Sequence, residues 1–220
     1  MHRSQDAQDT SAINEPAELL ARLKSGDEQA LGELFSLHRE RLWRMVNFRL
    51  DRRLYGRVDA DDILQEAFID AAQRIRHFTA DGPISFFVWL RMIVGQTLID
   101  VHRRHLGAQM RDAGREISIH GGSYPQATSI SLAAHLLGHL TSPSQAAMRA
   151  ELSSQLERAI ETMEPIDQEV LALRHFEELT NSEVAEVLGI KQKAASIRYV
   201  RAVARLKDVL SRVPGFFEDA

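Results

Sequence analysis

The chain has 220 residues, 44% of them hydrophobic, a formal net charge of -4, a pI of about 6.1 and no cysteine. That apolar content excludes a disordered chain, and the missing thiols exclude disulfides and thiolate metal centres. The mild negative charge excludes indiscriminate coating of nucleic acid, so any DNA binding has to come from local patches.

Residues 1–16 are polar and aperiodic and read as a disordered tail ending at Pro16. They lack the apolar centre of a signal peptide, and nowhere does the chain approach the roughly 18 apolar residues of a membrane span. No membrane insertion is expected, and the localisation read from this is cytoplasmic. From residue 17 to 106 the pattern is helical. Leu19, Leu20, Leu23, Ala30, Leu31, Leu34, Phe35 and Leu42 form amphipathic stripes, interrupted at Gly26-Asp27. Residues 39–57 hold seven arginines against Glu40 and Asp51. Asp59, Asp61 and Asp62 then open a helix where carboxylates suit the N-terminal dipole, with Ile63, Ala67, Ile69, Ala71 and Ile75 among its apolar positions. Thr79 to Pro83 breaks the pattern, and FFVWLRMIVGQTLIDVHRRH follows as an apolar helix with a basic end.

Residues 107–142 are rich in Gly, Ser, Thr, Pro and Gln and read as a flexible linker. Within them Ala133, Leu136, Leu137 and Leu140 recur at helical spacing and predict a short docking helix. Helical periodicity returns over 143–212, broken at Glu164-Pro165 and near Glu178-Leu179, and 213–220 is a tail carrying Phe216 and Phe217. Inside the last segment, TNSEVAEVLGIKQKAASIRYVRAVARL over 180–206 reads as a helix-turn-helix. Thr180 and Glu183 have capping-box spacing, and Gly189 stands where a left-handed stop is wanted. Val184, Ala185, Val187 and Leu188 form the buried stripe of the first helix; Ala195, Tyr199, Val203, Leu206 and Leu210 form that of the second. Residues 191–212 hold seven basic side chains against Asp208 alone, whereas 151–190 hold two against ten acids. Cations segregated onto one helix suggest a footprint for DNA. The fold class is all-α: two small helical domains joined by a flexible linker.

Chemistry finds little support. There is no phosphate-binding glycine loop, no GxSxG and no HExxH, so no catalytic residue and no cofactor is expected. Asp61 and Asp62 are adjacent and point about 100° apart on a helix, which keeps them from converging on one atom. His102 with His105, and His135 with His139, can each bring two imidazoles together, but no third ligand accompanies them and no metal site is expected.

DADDILQEAF at 59–68 resembles the acidic signature of sigma-70 family transcription initiation factors, and WLRMIVGQTLIDVHRRH at 89–105 resembles the run that follows it there. With the C-terminal helix-turn-helix, and a linker in place of a middle domain, the chain resembles the extracytoplasmic-function (ECF) group. The resemblance implies a region 2-like domain over 17–106 and a region 4-like domain over 143–212. It implies that Asp61, Asp62, Gln65 and Glu66 contact core RNA polymerase. Asp81, Ser85 and Phe86, in a loop suited to a flipped base, with Arg91, Gln96, Arg103 and Arg104, would meet the minus-ten element. Trp89, among apolar neighbours, is assigned to packing. Lys191, Gln192, Lys193, Ser196, Ile197, Arg198, Arg201 and Arg205 would meet the minus-35 element, with Arg198, Arg201 and Arg205 able to reach phosphates. Gln96 departs from the family's asparagine, Lys191 from its capping serine, Ala194 from its threonine and Ser196 from its lysine. The implied partners are core polymerase, promoter DNA and an inhibitory anti-sigma factor, for which 133–140 and Phe216-Phe217 are candidate docking segments. The alternative is a helix-turn-helix regulator that acts on DNA without polymerase.

Overall fold

A computed structural model describes residues 16–78, 82–106, 127–138 and 146–212. Asp81, His139, Leu140, Phe216 and Phe217 lie outside the described residues. The helices in chain order are α1 (Ala17–Lys24), α2 (Glu28–Arg49), α3 (Ala60–Arg74), α4 (Phe86–Leu106), α5 (Ser129–Gly138), α6 (Ala146–Glu161), α7 (Pro165–Leu171), α8 (Asn181–Leu188) and α9 (Gln192–Ser211). Among the described residues there is no strand.

Local chemistry sets most of the ends. Asp27 caps α2 by accepting the Gln29 amide at 2.9 Å, and Asp59 caps α3 by accepting the Asp62 amide at 2.8 Å. Pro165 occupies the first turn of α7, where its missing N–H is no loss. The capping box of α8 is complete: Glu183 donates its amide to Thr180 Oγ1 at 3.2 Å, and the Thr180 amide donates to the Glu183 carboxylate at 2.8 Å. Gly189 ends α8 at φ 64, a left-handed conformation that a side chain would strain. Thr180→Ala removes one of the two reciprocal bonds and is expected to cost about 1 kcal/mol, read as a lowered Tm with helix content unchanged.

α2, α3 and α4 form one three-helix core around Leu34, Leu42, Ile63, Ala67, Leu90 and Leu98, all nearly inaccessible. Phe35 meets Phe68 edge-on at 5.0 Å, and half-buried Trp89 packs against Phe78 and Phe86 at 5.1 and 5.6 Å, as its apolar neighbours predict. The apolar cores do not divide at the linker. Leu173, Leu179, Val184 and Ala195 join the core of α2–α4, while Phe48 at the end of α2 joins a second core built by α5, α6, α7 and α9. There Phe48 stacks on Phe176 at 5.0 Å and packs on His135 at 4.8 Å.

The docking helix predicted within the linker is present as α5. It is shifted towards the N-terminus, burying Leu132, Ala133 and Leu137 against α6 and its neighbours. One stripe differs from expectation. On α9 the buried positions are Ala195, Ala202, Val209 and Leu210, while Val203 is 41% exposed. A strict four-residue step drifts from the 3.6-residue pitch, so Val203 lies about 80° from Ala195 whereas Ala202 lies about 20° away. Ile69 on α3 is exposed as well.

Candidate nucleic-acid interface

Three surfaces collect the residues singled out in the sequence. On α3, Asp61, Asp62, Gln65 and Glu66 are all exposed along one side of the helix, because Ile63, Leu64 and Ala67 turn into the core. Asp61 is paired with Arg39, and Glu66 accepts from Arg104 Nη2 at 2.7 Å. Both pairs are solvent-exposed, so each contributes roughly 0–1 kcal/mol and leaves its carboxylate available to a partner.

The helix α9 and its N-cap present Lys191, Gln192, Lys193, Ile197 and Arg201 to solvent, with Ser196 half-buried and donating to the Gln192 carbonyl at 3.2 Å. Lys191 is its N-cap and makes no side-chain cap bond, consistent with the departure noted in the sequence. The three arginines expected to share one phosphate-facing side are unequal. Arg205 donates to buried Asp167 at 2.7 Å, and Arg198 lies 3.6 Å from the same carboxylate. Arg201 is directed outward.

The residues assigned to the minus-ten element are divided. Arg103 and Arg104 are exposed at the end of α4, and Gln96 is half-buried with its amide 3.2 Å from Asp100 Oδ1. Phe86 and Arg91 are not surface groups: Phe86 is 1% and Arg91 0% exposed. Phe86 packs between His38, Phe78 and Trp89, so its ring is not open to a base in this arrangement. Arg91 donates from Nε to Glu177 at 2.8 Å. The Ser85 amide and hydroxyl both donate to Glu186 Oε2, at 2.7 and 2.8 Å.

Sequence reasoning missed these partners. Glu177 accepts from Arg91 and also from Arg49 Nε at 2.5 Å, and Arg49 donates from Nη2 to Glu169 at 2.7 Å. Glu169 further accepts the Ala127 amide at 2.8 Å, which ties the chain just before α5 to the same cluster. Arg41 forks onto Glu183 with bonds of 3.0 and 2.7 Å, while its guanidinium lies 3.6 Å over the Phe87 ring. The sequence signals were the arginine excess over 39–57 and the acid excess over 151–190, which have opposite sign and meet in the fold.

Burial alone would push the Glu177 carboxyl up, but Arg49 and Arg91 beside it prevail and hold it below the usual carboxylate range. Glu183 behaves alike: burial raises it, and Arg41 together with the Thr180 amide and hydroxyl brings it down. Both folded-state values are depressed, so their stabilisation is complete above the ordinary carboxylate pKa and is lost as pH falls through the lower folded values. The junction of the two halves is therefore expected to be insensitive to pH near about 7 and to weaken below about 4. Thermal melts across that range, compared with Glu177→Gln, check this; the variant should show the shallower acid dependence.

Among the described residues no group of three or more His, Cys, Asp or Glu side chains gathers as a metal site, and no helix is long and apolar enough to cross a membrane. His102 instead accepts the Asp51 amide at 3.2 Å. Burial lowers its pKa, which keeps the imidazole neutral in that role.

Fold and surfaces define an all-helical helix-turn-helix protein with an exposed acidic face on α3 and basic side chains segregated onto α9. The chain belongs to the ECF sigma factor family, whose description matches residues 13–211, and is thus an alternative sigma factor of the RNA polymerase system. It is 25% identical over 192 residues to the ECF RNA polymerase sigma factor BldN of Streptomyces coelicolor, spanning 86% of this chain and 64% of that protein. It is 26% identical to the sigma factor YlaC of Bacillus subtilis, spanning 80% of this chain and 91% of YlaC. Its fold is similar to that of CnrH solved with the cytosolic domain of CnrY: the TM-score is 0.50 at 22% identity, over 90% of this chain and 98% of the other. In sequence, CnrH of Cupriavidus metallidurans is 27% identical over 87% of this chain and 92% of its own length.

Proposed function

We propose that this chain binds core RNA polymerase and directs it to promoters, with the N-terminal half (17–106) docking and melting the minus-ten element and the C-terminal half (143–212) reading the minus-35 element. The observation that carries this most directly is the exposed face of Asp61, Asp62, Gln65 and Glu66 on α3. A compact row of acceptors beside a helix N-terminus suits a basic protein surface, and a regulator acting on DNA alone has no use for it. Arg103 and Arg104 on α4 and Lys191, Lys193 and Arg201 on α9 supply backbone contacts, while Gln192, Ser196 and Ile197 face the bases. Two DNA-contacting units on one chain gain affinity when polymerase holds both in register, which fits a protein of net charge -4. Catalysis resides in the polymerase, so the chain needs no cofactor of its own, and its place of action is the cytoplasm. The segment 107–142 would run along the polymerase between the two halves. CnrH was solved with the cytosolic domain of CnrY, which supports a protein partner of that kind, an anti-sigma domain, for this chain.

Run-off transcription with purified core polymerase on pooled genomic fragments tests this. Discrete transcripts that require the chain are expected. Salt-sensitive DNA binding without core, and no transcripts with it, would instead identify a plain helix-turn-helix regulator.

A further inference from the structure

Of the seven arginines over 39–57, the fold commits five to its own carboxylates. Arg39 pairs with Asp61, Arg44 with Glu40 and Glu178, and Arg53 with Asp51, while Arg41 and Arg49 are buried against Glu183, Glu169 and Glu177. Arg52 and Arg57 are the exceptions. Both are exposed, and among the described residues neither forms an ion pair or a side-chain hydrogen bond. The acids beside them are already engaged: Asp51 holds the Arg53 guanidinium and amide, and Asp59 caps α3. The loop 50–58, with three arginines against one aspartate, therefore keeps an excess of positive charge. It is also held in one shape. Asp51 caps a single helical turn over Arg52–Leu54, Leu54 is 1% exposed in the core of α2–α4, and Gly56 at φ 75 supplies the left-handed residue of the turn. The Arg57 amide then donates back to the Leu54 carbonyl at 3.0 Å. Tyr55, exposed between the two arginines, makes only a long bond of 3.4 Å from its hydroxyl to the Asn47 carbonyl.

Resting on the sigma-factor function above, we propose that Arg52, Tyr55 and Arg57 form a further DNA site, which holds the phosphate backbone of the duplex immediately upstream of the minus-ten element. The loop sits against the end of α4: the Asp51 amide donates to His102, and the next residue along α4 is the exposed Arg103. With 21 residues α4 is about 30 Å long, the span of about nine base pairs. A loop at this end therefore lies well away from the Ser85 end, where strand opening is placed, and on the side from which the chain continues towards the half assigned to the minus-35 element. Guanidiniums with no internal carboxylate to displace, on a loop already ordered by a buried leucine and a cap, bind phosphate without a reorganisation cost. A phosphate oxygen can likewise take over the weakly engaged Tyr55 hydroxyl. Contacts of this kind position the duplex and carry no sequence information, so the loop fixes the upstream edge of the opened segment while other residues read it.

Holoenzyme assembled from core polymerase and the full chain tests this, on a duplex fragment that yields a discrete run-off transcript. Arg52→Ala/Arg57→Ala should bind that duplex about tenfold more weakly, with a plot of log affinity against log salt shallower by about 2. Arg52→Lys/Arg57→Lys keeps the charges and should retain most of the affinity and the native salt slope. Neither arginine is buried or paired within the chain, so both variants should melt with the native protein and be captured equally by core. Ethylation of single phosphates locates the contact: modification just upstream of the minus-ten element should weaken the native holoenzyme and leave the alanine variant unaffected. Unchanged duplex affinity and salt slope in the alanine variant overturn the proposal and leave the sigma function standing. Reduced capture by core makes the loop a polymerase contact, and a loss confined to the isolated non-template strand makes it a strand contact; either result overturns the duplex assignment. No transcript with the native chain overturns the sigma function instead. Should the alanine variant fail to fold, Arg52→Gln/Arg57→Gln, which keeps the aliphatic stems, carries the same expectations.

Discussion

Glu177→Ala is expected to destabilise the junction of the two halves by about 3–5 kcal/mol, because it leaves Arg49 and Arg91 buried without their shared carboxylate. For a protein of this size that corresponds to a fall of about 6–20 °C in the melting midpoint of the affected transition. The loss should fall on the contact between the halves rather than on either helical bundle, so calorimetry is expected to resolve a second, lower transition. Two comparisons make the assignment specific. Glu178→Ala, one residue away, removes only an exposed pair with Arg44 and should cost less than about 1 kcal/mol. The quadruple replacement Arg49→Met/Arg91→Met/Glu169→Gln/Glu177→Leu, which also neutralises the buried Glu169 that Arg49 otherwise holds, substitutes uncharged bulk for the charges and should recover much of the stability lost in Glu177→Ala. A quadruple variant no more stable than the single one would show that packing, not uncompensated charge, sets the cost.

Asp62→Lys/Gln65→Ala should reduce polymerase-dependent initiation by about thirtyfold or more, the equivalent of about 2 kcal/mol of lost docking. Both side chains are exposed on α3 and neither contributes to its core, so the melting temperature should stay within the spread of ordinary surface changes, about 0.5 kcal/mol. Asp62 gives its amide, not its carboxylate, to the Asp59 cap, so the helix start survives the exchange. Gel-shift with core polymerase and run-off yield read docking and initiation separately. A fall in yield with unchanged docking would move these residues from polymerase contact to a later step.

What the sequence revealed was local. Thr180 with Glu183, Gly189, Asp59 and Pro165 each act within a few residues, so spacing alone located the ends of α3, α7 and α8. The α5 helix was visible because Leu136 and Leu137 stand out in a polar stretch, although its bounds were not. The partners of Arg91 and Arg41 lie 86 and 142 residues away, and no periodicity reports a contact at such separation. For the same reason the burial of Arg91 against Glu177 was not visible: a basic residue on a helix has one sequence signature whether it faces water or a buried carboxylate. Ser85 was singled out as part of a loop suited to a flipped base, and its observed acceptor, Glu186, belongs to the other half of the chain.

The long separation across the Arg49–Glu177 pair also has a consequence for the newly made protein. The two residues are 128 positions apart, with Arg49 the earlier. At translation rates of about 5–20 residues per second, Glu177 is added about 6–25 s after Arg49. Helical bundles rich in local contacts fold far faster than that. Each new copy of the N-terminal half thus folds on the ribosome with Arg41, Arg49 and Arg91 uncovered. Only when the C-terminal half emerges do those arginines meet their own carboxylates, so closure of the junction follows the folding of the N-terminal half.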